Sequence, residues 1–175
     1  QVWNPQLTKR NALLYFLNFG DTNITRISYA SCFGTDRWNH PELKDKTRRL
    51  LERFNYVTCR ESSGVKILKE EFGIEAKQVL DPTLLLDSYK ELTGDLQDKE
   101  TLVYYPLHDD PELESYSQEL AVEMGLKAIN NKSSTKVLGT IEWDRVSIAE
   151  WIKNIAEAKF VLTRSFHGMV FSIIH

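Results

Sequence analysis

Short β-rich runs alternate with amphipathic helical patterns along most of the chain, and this alternation leaves few folds open to it. Most runs are followed by apolar residues at helical spacing, which is the layout of repeated β-α units. Such units predict parallel sheets with helices on both faces, so we assign the chain to the α/β class. The predicted strands are residues 24–30, 56–59, 78–80, 101–105, 127–130 and 160–163.

Local stop and start signals agree with the helices that this pattern predicts. Gly73 suits the left-handed residue that ends a helix. Asp110 followed by Pro111 is typical of a cap and first helical turn, and we favour that interpretation over a cation site. The predicted helices cover residues 41–54, 65–72, 110–124 and 148–155 and begin again at 166, while 133–143 is interpreted as irregular.

The alternation weakens between residues 81 and 100, where proline, glycine and short polar residues interrupt it. That composition is typical of a linker. We therefore predict two Rossmann-like domains, with residues 1–86 as the C-terminal part of the first, 87–99 as the linker and 100–175 as the N-terminal part of the second. The chain opens without a start signal and ends on an uncapped apolar segment, so we expect a fragment truncated at both ends.

Composition excludes several classes of protein. Of 175 residues, 42% are hydrophobic and 27% are charged, which is the balance of a globular protein. The net charge of -3 gives no general electrostatic reason to bind nucleic acid or an anionic membrane. No apolar run approaches the roughly 18 residues of a membrane span and no signal peptide is visible, so we expect a cytoplasmic protein. The oligomeric state stays unknown from sequence.

Familiar cofactor and metal motifs do not occur. None of the eight glycines lies two positions from another, so no Gly-x-Gly-x-x-Gly is present, and there is no Walker A loop. Cys32 and Cys59 adjoin apolar or β-type residues, and we predict two reduced, packed thiols. The histidines show no metal-ligand spacing. We therefore predict neither a cofactor nor a metal.

The turn at residues 163–168 joins a predicted buried strand to a predicted buried helix. It puts Ser165, His167 and backbone N–H groups at a positive helix end, where an anion can bind. There His167 is a candidate general acid or base, and Gly168 permits close approach of a substrate or a neighbouring chain. The alternative is that Ser165 caps the helix while His167 is hydrogen-bonded inside the core.

A second strand-to-helix turn, at residues 58–63, carries Arg60, Glu61 and Ser62. An arginine at a strand end can hold a phosphate or a carboxylate through two parallel hydrogen bonds. In the alternative interpretation, which this turn favours when taken alone, Arg60 pairs with Glu61 or Asp81 at the surface and Ser62 caps the helix.

Several motifs together identify a family. In chain order they are Gln1-Val2-Trp3-Asn4-Pro5, Ile27-Ser28-Tyr29-Ala30-Ser31-Cys32-Phe33-Gly34, Arg60-Glu61-Ser62, Val79-Leu80-Asp81-Pro82-Thr83-Leu84-Leu85 and Ser165-Phe166-His167-Gly168. With these motifs the chain resembles the polysaccharide pyruvyl transferases. The resemblance implies a glycosyltransferase-B-like fold of two Rossmann-like domains. It also implies transfer of the enolpyruvyl unit of phosphoenolpyruvate to a sugar of a cell-surface polysaccharide or its precursor, usually as a cyclic ketal.

The resemblance further implies roles for single residues. His167 matches the family's catalytic histidine, and Arg60 matches an arginine that holds phosphoenolpyruvate. Many members have arginine where this chain has Ser165, so Arg164 is considered as its substitute, and Cys32 stands where serine is common. The substrate-binding residues implied by the matching motifs are Arg60, Glu61, Ser62, Arg164, Ser165 and Gly168.

Two other functions remain open at this stage. A nucleotide-sugar-dependent glycosyltransferase has the same type of fold, and a non-catalytic relative would bind a glycan or a partner protein without turnover. The leading hypothesis implies two small-molecule or glycan partners. These are phosphoenolpyruvate, as donor substrate rather than cofactor, and a sugar acceptor.

Overall fold

The computed structural model describes residues 2–21, 23–106, 108–131 and 146–175. The chain divides into two compact units, Gln1–Leu85 and Leu86–His175. Each unit contains one three-stranded parallel sheet. The α/β class and the parallel sheets predicted from the sequence are therefore confirmed. The segment 133–143, interpreted as irregular, lies outside the described residues.

The sheet of the first unit follows chain order, β1-β2-β3. Its strands are β1 (Ile27–Ser31), β2 (Tyr56–Cys59) and β3 (Lys77–Gln78). Its helical segments are α1 (Pro5–Thr8), a 3-10 helix at Lys9–Phe16, a 3-10 turn at Pro41–Leu43, α2 (Lys44–Leu51), α3 (Ser62–Ile67), a π-helical turn at Leu68–Phe72 and a 3-10 turn at Pro82–Leu84.

Strand β1 begins three residues later than the sequence pattern predicted. The cause is Arg26, which is 4% exposed and whose guanidinium donates to backbone carbonyl oxygens instead of facing solvent. These acceptors are Ile24 O at 3.1 Å, Phe19 O at 3.0 Å and Asp21 O at 2.8 Å. The buried cation therefore holds the preceding residues as a loop.

Residues 5–16 form helix that the sequence analysis did not predict. A local signal was present, because the Asn4 side chain accepts a hydrogen bond from the Gln6 backbone N–H and Pro5 occupies the first helical turn. The segment is short for an isolated helix, and it is stabilised by the packing of aromatic residues at its ends. Trp3 and Phe16 are each 1% exposed and stack with ring centroids 5.2 Å apart.

The second unit has strand order β5-β4-β6, with β4 in the centre. Its strands are β4 (Lys99–Tyr105), β5 (Lys127–Asn130) and β6 (Ala158–Thr163), and its helices are α4 (Lys90–Thr93), α5 (Pro111–Met124), α6 (Ile148–Ala156) and α7 (Phe166–Ile174). The direction in which strands are added reverses between β4 and β6. In open parallel sheets, ligands bind at such a switch point, beyond the carboxyl ends of the strands.

Alternate residues of β4 face opposite sides of this sheet. Val103 packs with α6 and α7, whereas Leu102 and Tyr104 pack with α5 and Leu126. Helices therefore cover both faces, as β-α alternation predicts. The start of α5 also follows prediction, since Asp110 Oδ1 accepts the Leu113 backbone N–H at 3.0 Å.

Residues 87–99, expected to form a linker, hold α4 and the first residue of β4 and belong to the second unit. None of the helices within the described ranges is long and apolar enough to cross a membrane.

Candidate active site

Arg60 follows the carboxyl end of β2, and its guanidinium is fixed by Asp81. The Arg60 Nη1 donates to Asp81 Oδ2 at 2.6 Å. The two side chains are 15% and 5% exposed, respectively. Sequence reasoning allowed this pair as a surface alternative. The structure contains the pair, but both side chains are largely shielded from solvent. There the strength of an ion pair depends more on its geometry than it does at a surface.

The neighbours of Arg60 favour its charged form. Burial lowers the pKa of the guanidinium, but hydrogen bonds to Asp81 and Cys32 outweigh burial, so that the pKa lies above its ordinary value. Arginine is already protonated at any physiological pH. Arg60 is therefore a permanent cation held in one orientation at the end of a parallel sheet.

One carboxylate oxygen of Glu61 accepts hydrogen bonds from the loop after β1. Its Oε1 accepts the backbone N–H of Phe33 at 2.6 Å and that of Gly34 at 3.2 Å. Its Oε2 lies 3.9 Å from Arg60 Nε. Ser62 is exposed and occupies the first position of α3, with Glu61 as the cap residue, so the alternative of Ser62 as cap is wrong.

Three of the sequence motifs thus meet at one edge of the sheet. The loop after β1, the Arg60-Glu61-Ser62 turn after β2 and the Asp81-containing turn after β3 all follow carboxyl ends of parallel strands. Two backbone hydrogen bonds join them, from Arg60 N to Ser31 O at 3.3 Å and from Val79 N to Cys59 O at 2.9 Å. This edge is where a parallel α/β sheet binds its ligands.

Both cysteines are buried and free, as the sequence predicted. Burial, with the nearby Glu61 and Cys32, raises the pKa of Cys59 to about 12. Burial and a hydrogen bond with Glu61 also raise the pKa of Cys32, despite the opposing effect of Arg60. Neither thiol has the depressed pKa of a nucleophile at neutral pH.

In the second unit, Ser165 and Gly168 shape the turn between β6 and α7. Ser165 Oγ accepts the Gly168 backbone N–H at 3.3 Å, which makes Ser165 the helix cap. Thr163 Oγ1 donates to Tyr105 O at 3.0 Å and accepts from Ser165 N at 3.0 Å. The threonine therefore locks the turn to the neighbouring strand β4. Sequence reasoning missed its role, because the two residues that it joins are remote in sequence.

His167 is exposed on the first turn of α7, a helix of nine residues. Its ring lies edge-on to that of Phe166, with centroids 5.2 Å apart. The alternative of a histidine inside the core is therefore wrong. An accessible imidazole at a helix N-terminus, next to backbone N–H groups, is suited to proton transfer on an anionic substrate.

Arg164 forms ion pairs across the switch point of the second sheet. Its Nη1 lies 3.1 Å from Asp110 Oδ2, and its Nη2 lies 3.4 Å from Glu112 Oε2. The arginine side chain is 59% exposed. These acids begin α5, so Arg164 links the end of β6 to the helix that follows β4.

The structure therefore gathers the proposed site residues into two groups. Arg60, Glu61 and Ser62 lie at the sheet edge of the first unit, and the residues of the 164–168 turn lie at that of the second. Among the residues in the described ranges, no group of three or more potential ligands is arranged to hold a metal ion.

The family model of polysaccharide pyruvyl transferase matches residues 3–175, and the chain belongs to this family. It is accordingly an enzyme of pyruvyl transfer to polysaccharides, as the resemblance of its motifs implied. Comparison with curated proteins gave no match, and comparison with solved structures gave none.

Proposed function

We propose that this enzyme transfers the pyruvyl group of phosphoenolpyruvate to a sugar of a cell-surface polysaccharide or its precursor, forming a cyclic ketal. The observation that carries the proposal is Arg60, a permanent and oriented cation at the ligand-binding edge of a parallel sheet. Phosphoenolpyruvate carries a phosphate and a carboxylate, and guanidinium groups bind both through paired hydrogen bonds.

Ketal formation needs proton transfers, and one exposed imidazole can act as the acid or base for them. The first sugar oxygen bonds to C2 of the donor while the methylene carbon C3 gains a proton and becomes a methyl group. The second sugar oxygen then bonds to C2 as the C2–O bond to phosphate breaks. Of the two hydroxyl protons, one balances the proton gained at C3 and the other leaves with the phosphate.

His167 is the proposed general acid or base for these steps. Its ring is exposed on the first turn of α7, while Ser165 caps the helix and Gly168 lets the turn pack closely. Backbone N–H groups at this helix end favour negative charge, which builds on the departing phosphate. Arg164 is proposed as a second contact for the donor, although Asp110 and Glu112 already neutralise part of its charge.

The remaining substrate contacts are proposed to come from Glu61 and Ser62. Glu61 acts mainly by holding the Phe33 and Gly34 amides, and Ser62 offers an exposed hydroxyl beside Arg60. We further propose that the two units are the Rossmann-like domains of a glycosyltransferase-B-like enzyme that acts in the cytoplasm, where phosphoenolpyruvate is made.

The decisive experiment measures phosphate release and glycan-bound pyruvate with phosphoenolpyruvate as donor. We expect Arg60→Ala and His167→Ala to lower turnover at least about a hundredfold, the usual scale for losing a positioned acid, base or anion contact. Arg49→Ala is the matched control, because Arg49 is an exposed arginine on α2 in the same unit as Arg60.

Equal turnover by both site variants and the wild type would contradict the roles assigned here. Turnover with a nucleotide sugar but not with phosphoenolpyruvate would favour glycosyl transfer. Binding of a glycan without turnover would favour the non-catalytic alternative.

A further inference from the structure

We propose that Asp81 is a positioning residue that orients the Arg60 guanidinium for the anionic donor. The inference rests on the proposed function of Arg60 as a donor-binding residue. It assigns a part in substrate recognition to a side chain that needs no contact with the substrate itself.

The geometry of Asp81 leaves its carboxylate one orientation. Oδ1 accepts the Thr83 backbone N–H at 3.1 Å and the Thr83 hydroxyl at 2.8 Å. Oδ2 accepts Arg60 Nη1 at 2.6 Å. Each carboxylate oxygen is therefore engaged by donors of a different residue, and the side chain is 5% exposed. A carboxylate fixed in this way fixes the guanidinium bound to it.

Asp81 also ties together two strand ends. Arg60 follows β2 and Asp81 follows β3, and Gln78 Nε2 donates to Arg60 O at 3.3 Å beside the ion pair. The turn that begins at Asp81 is stiffened by Pro82 in the first position of a 3-10 turn. Both partners of the ion pair also make backbone hydrogen bonds, from Arg60 N to Ser31 O at 3.3 Å and from Leu84 N to Asp81 O at 2.9 Å.

Charge and orientation predict opposite effects of Asp81 on donor binding, and this makes the proposal testable. The carboxylate repels an anionic substrate, so removing its charge alone would tighten binding. An arginine released from its partner instead regains rotamer freedom, which must be lost again when the substrate binds. If Asp81 acts by orienting Arg60, binding weakens although a repelling charge has gone.

Asp81→Asn is the informative variant because its shape is conserved. A carboxamide has one accepting oxygen and one donating nitrogen, whereas the Thr83 amide and Arg60 both require an acceptor. The variant can satisfy either partner but not both. Asp45→Asn is the matched control, since Asp45 is an exposed aspartate on α2 of the same unit.

The experiment is calorimetric titration of the full-length protein with phosphoenolpyruvate, in a cycle of Arg60→Ala, Asp81→Asn and the double variant. We expect Asp81→Asn to weaken binding about tenfold, the scale of one charge-assisted hydrogen bond, and no longer to weaken it in the Arg60→Ala background, where only the repelling charge is removed. Thermal unfolding of each variant confirms that it is folded at the titration temperature. With acceptor present, KM for phosphoenolpyruvate should rise while kcat changes little.

Unchanged or tighter binding by Asp81→Asn, with binding weakened in Arg60→Ala, would overturn this inference and leave the proposed function standing. An equal loss from Asp81→Asn in both backgrounds would show that Asp81 acts independently of Arg60 and would also overturn it. Absence of binding by the wild-type protein would instead overturn the proposed function, and the inference with it.

Discussion

Gly168 lies so close to Thr163 that no other residue fits at its position without displacement. A Cβ built on Gly168 would stand 2.5 Å from Thr163 Oγ1 and 2.9 Å from its Cγ2. The hydroxyl cannot turn away freely, because it bonds to both Tyr105 O and Ser165 N. The contact holds the first turn of α7, which carries His167, against strand β6.

Gly168→Ala is therefore expected to destabilise the second unit by about 1–3 kcal/mol through overpacking. Thr163→Ala removes both clashing atoms, so the Gly168→Ala/Thr163→Ala double variant should lose less stability than the sum of the single variants. Urea unfolding of the four proteins measures the coupling. Strict additivity would show that the two side chains do not compete for the same space.

Glu61→Ala is expected to cost about 1–3 kcal/mol, because it leaves the Phe33 and Gly34 amides without their acceptor next to a fully buried Phe33 side chain. Glu61→Gln retains one carbonyl oxygen and should cost clearly less. Glu75→Ala, whose side chain is 82% exposed and paired with Lys69, is the control and should change stability by less than about 0.5 kcal/mol. Equal losses from Glu61→Ala and Glu75→Ala in urea unfolding would contradict the expectation.

Glu157 should make the stability of the second unit depend on pH. Burial raises its pKa, but the contacts with Lys99, the Gln97 backbone N–H and Lys153 outweigh burial. They hold the pKa below its ordinary value of 4.5. The folded state then binds fewer protons than the unfolded state near that pH. The stabilisation is thus fully present above pH 4.5 and disappears as the pH falls through the folded pKa.

Glu157→Gln should accordingly cost about 2 kcal/mol at neutral pH, with a smaller difference from wild type in acid. Urea unfolding at pH 7 and below pH 4 gives the two differences. Glu123→Gln, an exposed position on α5, controls for the loss of a carboxylate. A Glu157→Gln difference that did not change with pH would rule out this linkage.

The buried thiols are expected to resist alkylation in the folded protein. Burial raises the pKa of Cys59 to about 12, so the thiol stays protonated at pH 8, and the residue is 0% exposed. Cys32 is 6% exposed and also has a raised pKa. Mass spectrometry after iodoacetamide treatment should find both unmodified in the folded state and both modified in guanidinium chloride. Rapid native labelling of Cys59 would show that its site opens readily.

The secondary structure was predictable where it depends on local chemistry. Strand β5 and the cap at Asp110 follow from short-range pattern alone, and Gly73 adopts the left-handed φ of 72° expected at a helix end. The delayed start of β1 could not be predicted, because it depends on carbonyl oxygens that the fold brings around Arg26.

The candidate site was likewise predictable only in part. Its residues could be found because polar side chains at strand-to-helix turns, and their order along the chain, are properties of the sequence itself. The hydrogen-bond partners of these residues could not be found in this way. Glu61 and Phe33 are 28 residues apart in sequence, and Thr163 and Tyr105 are 58 apart.

The sequence by itself determined the α/β class, the helix caps and the family, because periodicity, cap chemistry and motif order are written in neighbouring residues. Only the tertiary structure decided that Asp81 and Arg60 form a largely buried ion pair and that His167 is exposed. Burial and the direction of a hydrogen bond depend on which distant segments pack together. Those pairings are settled when the whole sheet assembles.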